Sequence, residues 1–162
     1  YQSIIKDLAA DLLQKVLEQS AQFFEHLVLD LLLKMGYGGS LSDAGMVTKY
    51  SHDDGIDGII KEDRLGLDTI FIQAKRWQGS VGRPEIQKFV GALQGQRAKK
   101  GVFITTSTYT SEAADYATRI DTKVVLIDGK QLAGLMIDFE VGVAPAATYV
   151  VKRIDSDYFE ES

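Results

Sequence analysis

Gly101-Val102-Phe103-Ile104-Thr105-Thr106 and Val124-Val125-Leu126-Ile127 are two compact apolar runs, and each is followed by a segment of helical character, Ser111 to Arg119 and Lys130 to Phe139. A run that is apolar at consecutive positions has no side turned to water, so each reads as a strand buried on both faces. Strand and helix in alternation point to βαβ units, with helices covering a sheet. Working outward toward the N-terminus, Pro84 suits the first turn of a helix running to about Arg97. Three β-type runs precede it, Met46 to Tyr50, Ile56 to Ile60 and Thr69 to Lys75, separated by the turn-prone Ser51-His52-Asp53-Asp54-Gly55 and the charged Lys61-Glu62-Asp63-Arg64. Before these, Ile4, Ile5, Leu8, Leu12, Leu13, Val16 and Leu17 recur at helical spacing. Ser20 is placed to cap a second helix with Phe24, Leu27, Val28, Leu31, Leu32 and Met35 on one side, and Gly36-Tyr37-Gly38-Gly39 stops it. The expected fold is α/β, a three-layer α/β/α sandwich with a central mixed β-sheet.

Composition agrees with one domain. The chain has 162 residues, 45% hydrophobic and 25% charged, with 2 Pro and no Cys. That length supports a core without disulfides or a structural metal, and the lack of cysteine removes zinc-finger, iron–sulfur and thiol-nucleophile chemistry. No stretch approaches the ~18–20 apolar residues of a membrane span, so no membrane partner is expected and the expected location is cytoplasmic. The chain starts at Tyr1 without Met and runs straight into a helical pattern. This leads to the expectation of an upstream segment.

Net charge is −5, yet Gln73 to Gly101 holds Lys75, Arg76, Arg83, Lys88, Arg97, Lys99 and Lys100 against the single acid Glu85, +6 in all, leaving −11 for the rest. A basic segment on an acidic body is either a phosphate-binding surface or a solvated helix face balanced by acids elsewhere. A nucleotide cofactor is not expected. Gly36-Tyr37-Gly38 begins a G-x-G-x-x-G loop but has Leu41 at the third position and follows a helix, and no G-x-x-x-x-G-K-[ST] occurs.

The informative residues are polar groups at positions where the periodicity expects apolar ones. At ~100° per residue, Glu25 falls beside Leu32 inside the apolar sector of the second helix, while His26, Asp30 and Lys34 fall outside it. A carboxylate there either snorkels to the edge or is paired, protonated or bound to a cation. Asp57, in Asp54-Gly55-Ile56-Asp57-Gly58-Ile59-Ile60, stands at the mouth of an apolar strand between glycines, which suits both a ligand site and a plain turn. In Thr69-Ile70-Phe71-Ile72-Gln73-Ala74-Lys75-Arg76-Trp77, alternation puts Phe71, Gln73 and Lys75 on one face and Ile70, Ile72 and Ala74 on the other. A lysine at a buried strand position needs a partner, and a carboxylate–metal cluster would supply one.

Glu25, Asp57, Gln73 and Lys75 then form an ordered set, and with it the sequence resembles the catalytic domain of Mrr-type restriction endonucleases, in the PD-(D/E)xK nuclease superfamily. The matching stretches are Phe24-Glu25 with Leu32 and Gly36-Tyr37, Asp54-Gly55-Ile56-Asp57-Gly58, Gln73-Ala74-Lys75-Arg76-Trp77, Val81-Gly82-Arg83-Pro84-Glu85 and Gly101 to Thr106. The resemblance implies a restriction-endonuclease-like fold and Mg²⁺-dependent hydrolysis of DNA phosphodiesters, with Mn²⁺ able to substitute. The expected activity is that of a type IV restriction endodeoxyribonuclease cutting methylated double-stranded DNA. It implies that Asp57, the Gln73 side-chain carbonyl and the Ala74 backbone carbonyl hold the metal, that Glu25 reaches it through a water or positions Lys75, and that Lys75 orients the attacking water or stabilises charge on the phosphate. Such oxygen donors suit a hard cation. Ile56 replaces the superfamily's Pro and Gln73 its acid, the second being the pattern of the Mrr group itself; Asp54 reads as an outer or turn-forming neighbour.

Arg76, Arg83, Gln87, Lys88 and Arg97 are the expected DNA contacts, phosphate-directed and without base specificity. Trp77 reads as packing or as a stacking platform, and Thr105, Thr106 and Ser107 as functional hydroxyls at a strand end or as caps for the Ser111 helix. The expected division is 1–20 as a helix leading from an N-terminal DNA-binding domain, 21–142 as the catalytic domain and 143–162 as a C-terminal extension. A homodimer or higher homo-oligomer is expected, because double-strand cutting needs two sites. The alternatives are a nuclease-fold domain that binds or assembles without cutting, and a junction-resolving or repair nuclease.

Overall fold

The structure is a computed structural model and describes residues 1–39 and 55–161. The expected strand Met46 to Tyr50 and the neighbour Asp54 lie outside the described residues. Helix α1 (Gln2–Leu17) and helix α2 (Ala21–Lys34) are followed by strands β1 (Gly58–Lys61) and β2 (Thr69–Lys75). Then come α3 (Arg83–Gly95), β3 (Lys100–Thr105), α4 (Ser111–Thr118), β4 (Lys123–Ile127) and α5 (Gly129–Asp138). The sheet order is β1-β2-β3-β4, with β1 antiparallel to β2 and the other pairs parallel. The mixed sheet is as expected.

Local chemistry sets the boundaries. Ser20 Oγ accepts from Phe23 N at 3.0 Å and starts α2, and Gly36, at φ +103°, ends it in a conformation that other residues resist. Pro84 stands in the first turn of α3. That helix ends at Gly95 rather than Arg97, because Arg97 has turned to φ +53°. Asp128 and Gln131 close a reciprocal capping box on α5.

The two faces of the sheet carry separate cores. On one, Ile60, Ile70, Ile72 and Ile104 pack against Leu12, Val16, Phe24, Val28, Leu31, Leu132 and Met136 of α1, α2 and α5. On the other, Phe71, Phe103 and Val124 meet Ile86, Phe89, Val90, Leu93 and Ala113 of α3 and α4, with Ile56 joining them. Phe89 and Phe103 meet edge to face, centroids 5.6 Å apart. Burial of each such side chain contributes ~1.5–3 kcal/mol, so the alternation along β2 is enforced from both sides. From residue 144 to 161 the chain is exposed and irregular apart from the single turn Ser156–Phe159. Among the described residues no helix is long and apolar enough to cross a membrane.

Candidate active site

Asp57 is the last residue before β1, where the strand parts from β2. Its backbone N–H donates to the Ile72 carbonyl at 2.7 Å, the final rung of the ladder, and its Oδ2 accepts from Ala74 N at 2.7 Å. The carboxylate thus takes over from the departing backbone as partner of the next N–H on β2. Backbone groups two residues apart on a strand face the same way, so the Ala74 carbonyl is directed to the same fork as its N–H.

Gln73 fills the fork and is 5% exposed. One orientation of its carboxamide satisfies every neighbour. The nitrogen donates to Asp57 Oδ2 at 3.1 Å and to the Gly55 carbonyl at 2.8 Å, and the oxygen accepts from Lys75 Nζ at 3.2 Å. Carboxylate, amide and ammonium therefore form one chain across the strand face. The half-buried Lys75 has its Nζ 5.7 Å from the centroid of the Trp77 ring. Trp77 itself packs on the α3 side of the core, which supports its packing role.

β3 grips the exit of β2 from the other side. Thr105 Oγ1 donates to the Lys75 carbonyl and Thr106 Oγ1 to that of Trp77, both at 2.8 Å, and Ser107 Oγ donates to that of Gln78 at 3.0 Å. These hydroxyls do not cap the following helix. Thr110 does so, accepting from Ala113 N at 3.2 Å.

Gly55, Gln73 and Lys75 line a pocket of about 20 Å³ with Glu85, Lys88, Phe89 and Phe103, room for roughly one water. Depressions of 470 and 590 Å³ lie against α1 and α5, walled mainly by apolar side chains and containing none of the groups at the fork. Convergent polar groups, rather than volume, mark the site.

The structure brings together Asp57, Gln73, Ala74 and Lys75 and adds Glu85 and the Gly55 carbonyl, neither of which the sequence pattern had singled out. A signal for Glu85 exists, since it is the only acid in the basic window and stands three residues before Lys88 on one helix. Glu25 is half-buried on α2, which covers the opposite face of the sheet, and it does not line the pocket. Arg76 has a partner in the fold itself. Alternation turns it away from Lys75, and its guanidinium is half-buried, with Nη1 donating to the Leu17 carbonyl at 3.1 Å, so it anchors α1 rather than facing solvent. Arg83 lies over the Tyr116 ring at 5.0 Å. Lys88 lines the pocket, Gln87 is exposed beside it, and Arg97 is exposed beyond the end of α3. Gln73 reaches Asp57 and the Gly55 carbonyl with one end of its carboxamide and Lys75 with the other.

The donor set fits a small hard cation. One terminal atom of Gln73 lies 3.1 Å from Asp57 Oδ2 and 2.8 Å from the Gly55 oxygen. Adjacent oxygens bound at ~2.1 Å around Mg²⁺ stand about 3 Å apart. Among the described residues no three His, Cys, Asp or Glu side chains converge, so such a cation would rest on one carboxylate together with amide and backbone oxygens.

Comparison with known proteins gives a consistent result. The chain is 50% identical over 157 residues to the type IV methyl-directed restriction enzyme EcoKMrr of Escherichia coli (strain K12), a match covering 96% of this chain and 51% of that protein. It thus spans about half the length of this curated relative. Among solved structures it is similar to the DNA modification-dependent restriction endonuclease AspBHI, with a TM-score of 0.63, 19% identity, and coverage of 86% of this chain and 36% of that one. It is also similar to the MspJI restriction endonuclease in complex with a 27-mer oligonucleotide, with a TM-score of 0.61, 23% identity, and coverage of 79% and 31%. At those identities the two structures establish the fold, the restriction-endonuclease form of the α/β sandwich. The Mrr_cat family model, described as restriction endonuclease, matches residues 16–136. With half of its aligned residues identical to those of EcoKMrr, the chain belongs to this family of restriction endonucleases.

Proposed function

We propose that this chain is the DNA-cutting part of a modification-dependent, type IV restriction enzyme, a Mg²⁺-dependent endodeoxyribonuclease acting on methylated double-stranded DNA in the cytoplasm. The observation that carries this reading is the chain of contacts from Asp57 through Gln73 to Lys75 at the β1–β2 fork. The names of its relatives, methyl-directed for one and modification-dependent for another, support the substrate class.

Restriction endonucleases generally use divalent metal ions, and Asp57, the Ala74 carbonyl and Gln73 would hold one here. Bound there, Mg²⁺ or Mn²⁺ supplies Lewis-acid polarisation of a phosphoryl oxygen. The rest is the work of this chain's own residues. Lys75 supplies a positive charge beside the phosphate and orients the attacking water. Thr105 and Thr106 hold the backbone that carries it, and Lys88, Gln87 and Arg97 engage DNA phosphates along α3. Two strands are cut by two copies of the site, so the active species is a homodimer or larger.

The test is nicking and linearisation of methylated and unmethylated plasmid with Mg²⁺ or EDTA, for the wild type and Lys75→Ala. Cutting that requires Mg²⁺ and is lost in the variant is expected. DNA binding by folded protein without cutting of either plasmid in Mg²⁺ would overturn the nuclease reading.

A further inference from the structure

The Gln73 carboxamide occupies a space that suits two opposite charge arrangements. In the orientation described above, its donor end meets the oxygens of Asp57 and Gly55 and its acceptor end meets the Lys75 ammonium. Turned end for end, it would set an oxygen against two oxygens and an NH₂ against an ammonium, and both contacts would repel. A cation between the oxygens reverses that preference, because a Gln73 oxygen 3.1 Å from Asp57 Oδ2 and 2.8 Å from the Gly55 oxygen then becomes a fellow ligand instead of a rival. The terminal amide torsion is broad and two-fold, so the turn needs no backbone movement and no extra volume.

Resting on the cation-dependent reading above, we propose that Gln73 is a cation-gated amide switch. Arrival of a divalent cation beside Asp57 turns the carboxamide so that its oxygen joins the cation. The same turn withdraws the acceptor that holds Lys75. With the donor end of the amide on Asp57 and Gly55, the orientation that hydrogen bonding favours without a cation, the ammonium is parked between Gln73 Oε1, at 3.2 Å, and the Trp77 ring, at 5.7 Å. After the turn, among the described residues, only the ring remains, and the ammonium is released toward the pocket where a phosphate would lie. An acid at position 73 would accept at both ends and keep the lysine paired with or without a cation. The amide makes the availability of Lys75 conditional on the cation.

The experiment is NMR on the ¹⁵N,¹³C-labelled chain titrated with MgCl₂ without DNA, following the Asp57 resonances, solvent exchange of the Gln73 NH₂ and the mobility of the Lys75 ε-methylene. Saturating Mg²⁺ is expected to speed Gln73 NH₂ exchange about tenfold, the equilibrium worth of one such hydrogen bond, and to mobilise Lys75. In Gln73→Glu, the mobility of Lys75 should be the same with and without Mg²⁺. Saturable shifts at Asp57 with Gln73 exchange and Lys75 mobility unchanged would overturn the switch and leave the cation site standing. No saturable response at Asp57 would overturn the switch and the cation site together.

Discussion

Arg76 Nη1 donates to the Leu17 carbonyl at 3.1 Å across 59 residues of sequence, joining the exit of the site strand to the C-terminus of α1. A cation at a helix C-terminus is favoured by the helix dipole as well as by the hydrogen bond. Arg76→Ala is expected to destabilise the fold by ~1–3 kcal/mol, since the carbonyl is left without its partner, while DNA affinity per folded molecule stays unchanged. Thermal denaturation and DNA titration check the two halves.

Lys88→Ala should behave in the opposite way. Its side chain is exposed at the rim of the pocket, so stability is unaffected, whereas DNA binding weakens and the slope of log K against log salt falls by about 1. A fluorescence titration at several salt concentrations measures it.

At Asp57 two substitutions should separate charge from architecture. Asp57→Asn retains an oxygen for the Ala74 N–H but loses the charge, so cleavage is expected to fall by ~10²-fold or more with little change in melting temperature. Asp57→Ala also strands the Ala74 N–H and the Gln73 amide, costing a further ~1–3 kcal/mol. Single-turnover cleavage and calorimetric melting distinguish them.

Much of this site is legible in the amino-acid pattern alone. Period-two alternation places Gln73 and Lys75 together against Ile72 and Ala74, and the two cores follow that division. The same rule sends Arg76 to the far face. Charge groups Arg76 with Lys75, and the fold gives its guanidinium a partner at the end of α1. Other features depend on register, which local pattern does not contain. Nothing in Gly55-Ile56-Asp57 announces that β1 parts from β2 one residue before Ala74, or that a carboxylate fills the vacant rung. The hydroxyls of Thr105, Thr106 and Ser107 stand out at a strand end, but their partners are carbonyls about 30 residues away. Helix periodicity places Glu25 on a packing face of α2 without saying which side of the sheet that helix covers.

Gly129→Ala is expected to destabilise by ~1–3 kcal/mol through overpacking. A Cβ there would collide with the Thr106 carbonyl and touch Leu13, and the Gly129 N–H already bonds Ser107 O at 2.8 Å. The strain falls on the loop that grips β2, so cleavage should decline with stability in a melting and activity comparison.

The far end of the sheet carries a pH-dependent element. Lys100 Nζ meets Glu62 Oε2 at 2.6 Å and Asp68 Oδ2 at 3.0 Å. The hydrogen bond from Lys100, followed by that from the Thr69 N–H, holds the Asp68 carboxyl below its usual range. A carboxyl lowered on folding contributes stability above its unfolded value and loses it as pH falls through its folded value. Acid should therefore lower the melting temperature of the wild type more steeply than that of Lys100→Met, which lacks the lysine bond. Melting curves between neutral and strongly acidic pH provide the comparison.

The grip of Thr105, Thr106 and Ser107 on the carbonyls of Lys75, Trp77 and Gln78 has a consequence for protein engineering. The Gln73-Ala74-Lys75 triplet is not portable by itself, because the direction of its lysine is set by a neighbouring strand. The smallest transplantable unit is the three-stranded segment from Asp57 through Ser107, with β1 antiparallel and β3 parallel to β2, and a graft that takes the triplet alone should carry the right letters in the wrong posture.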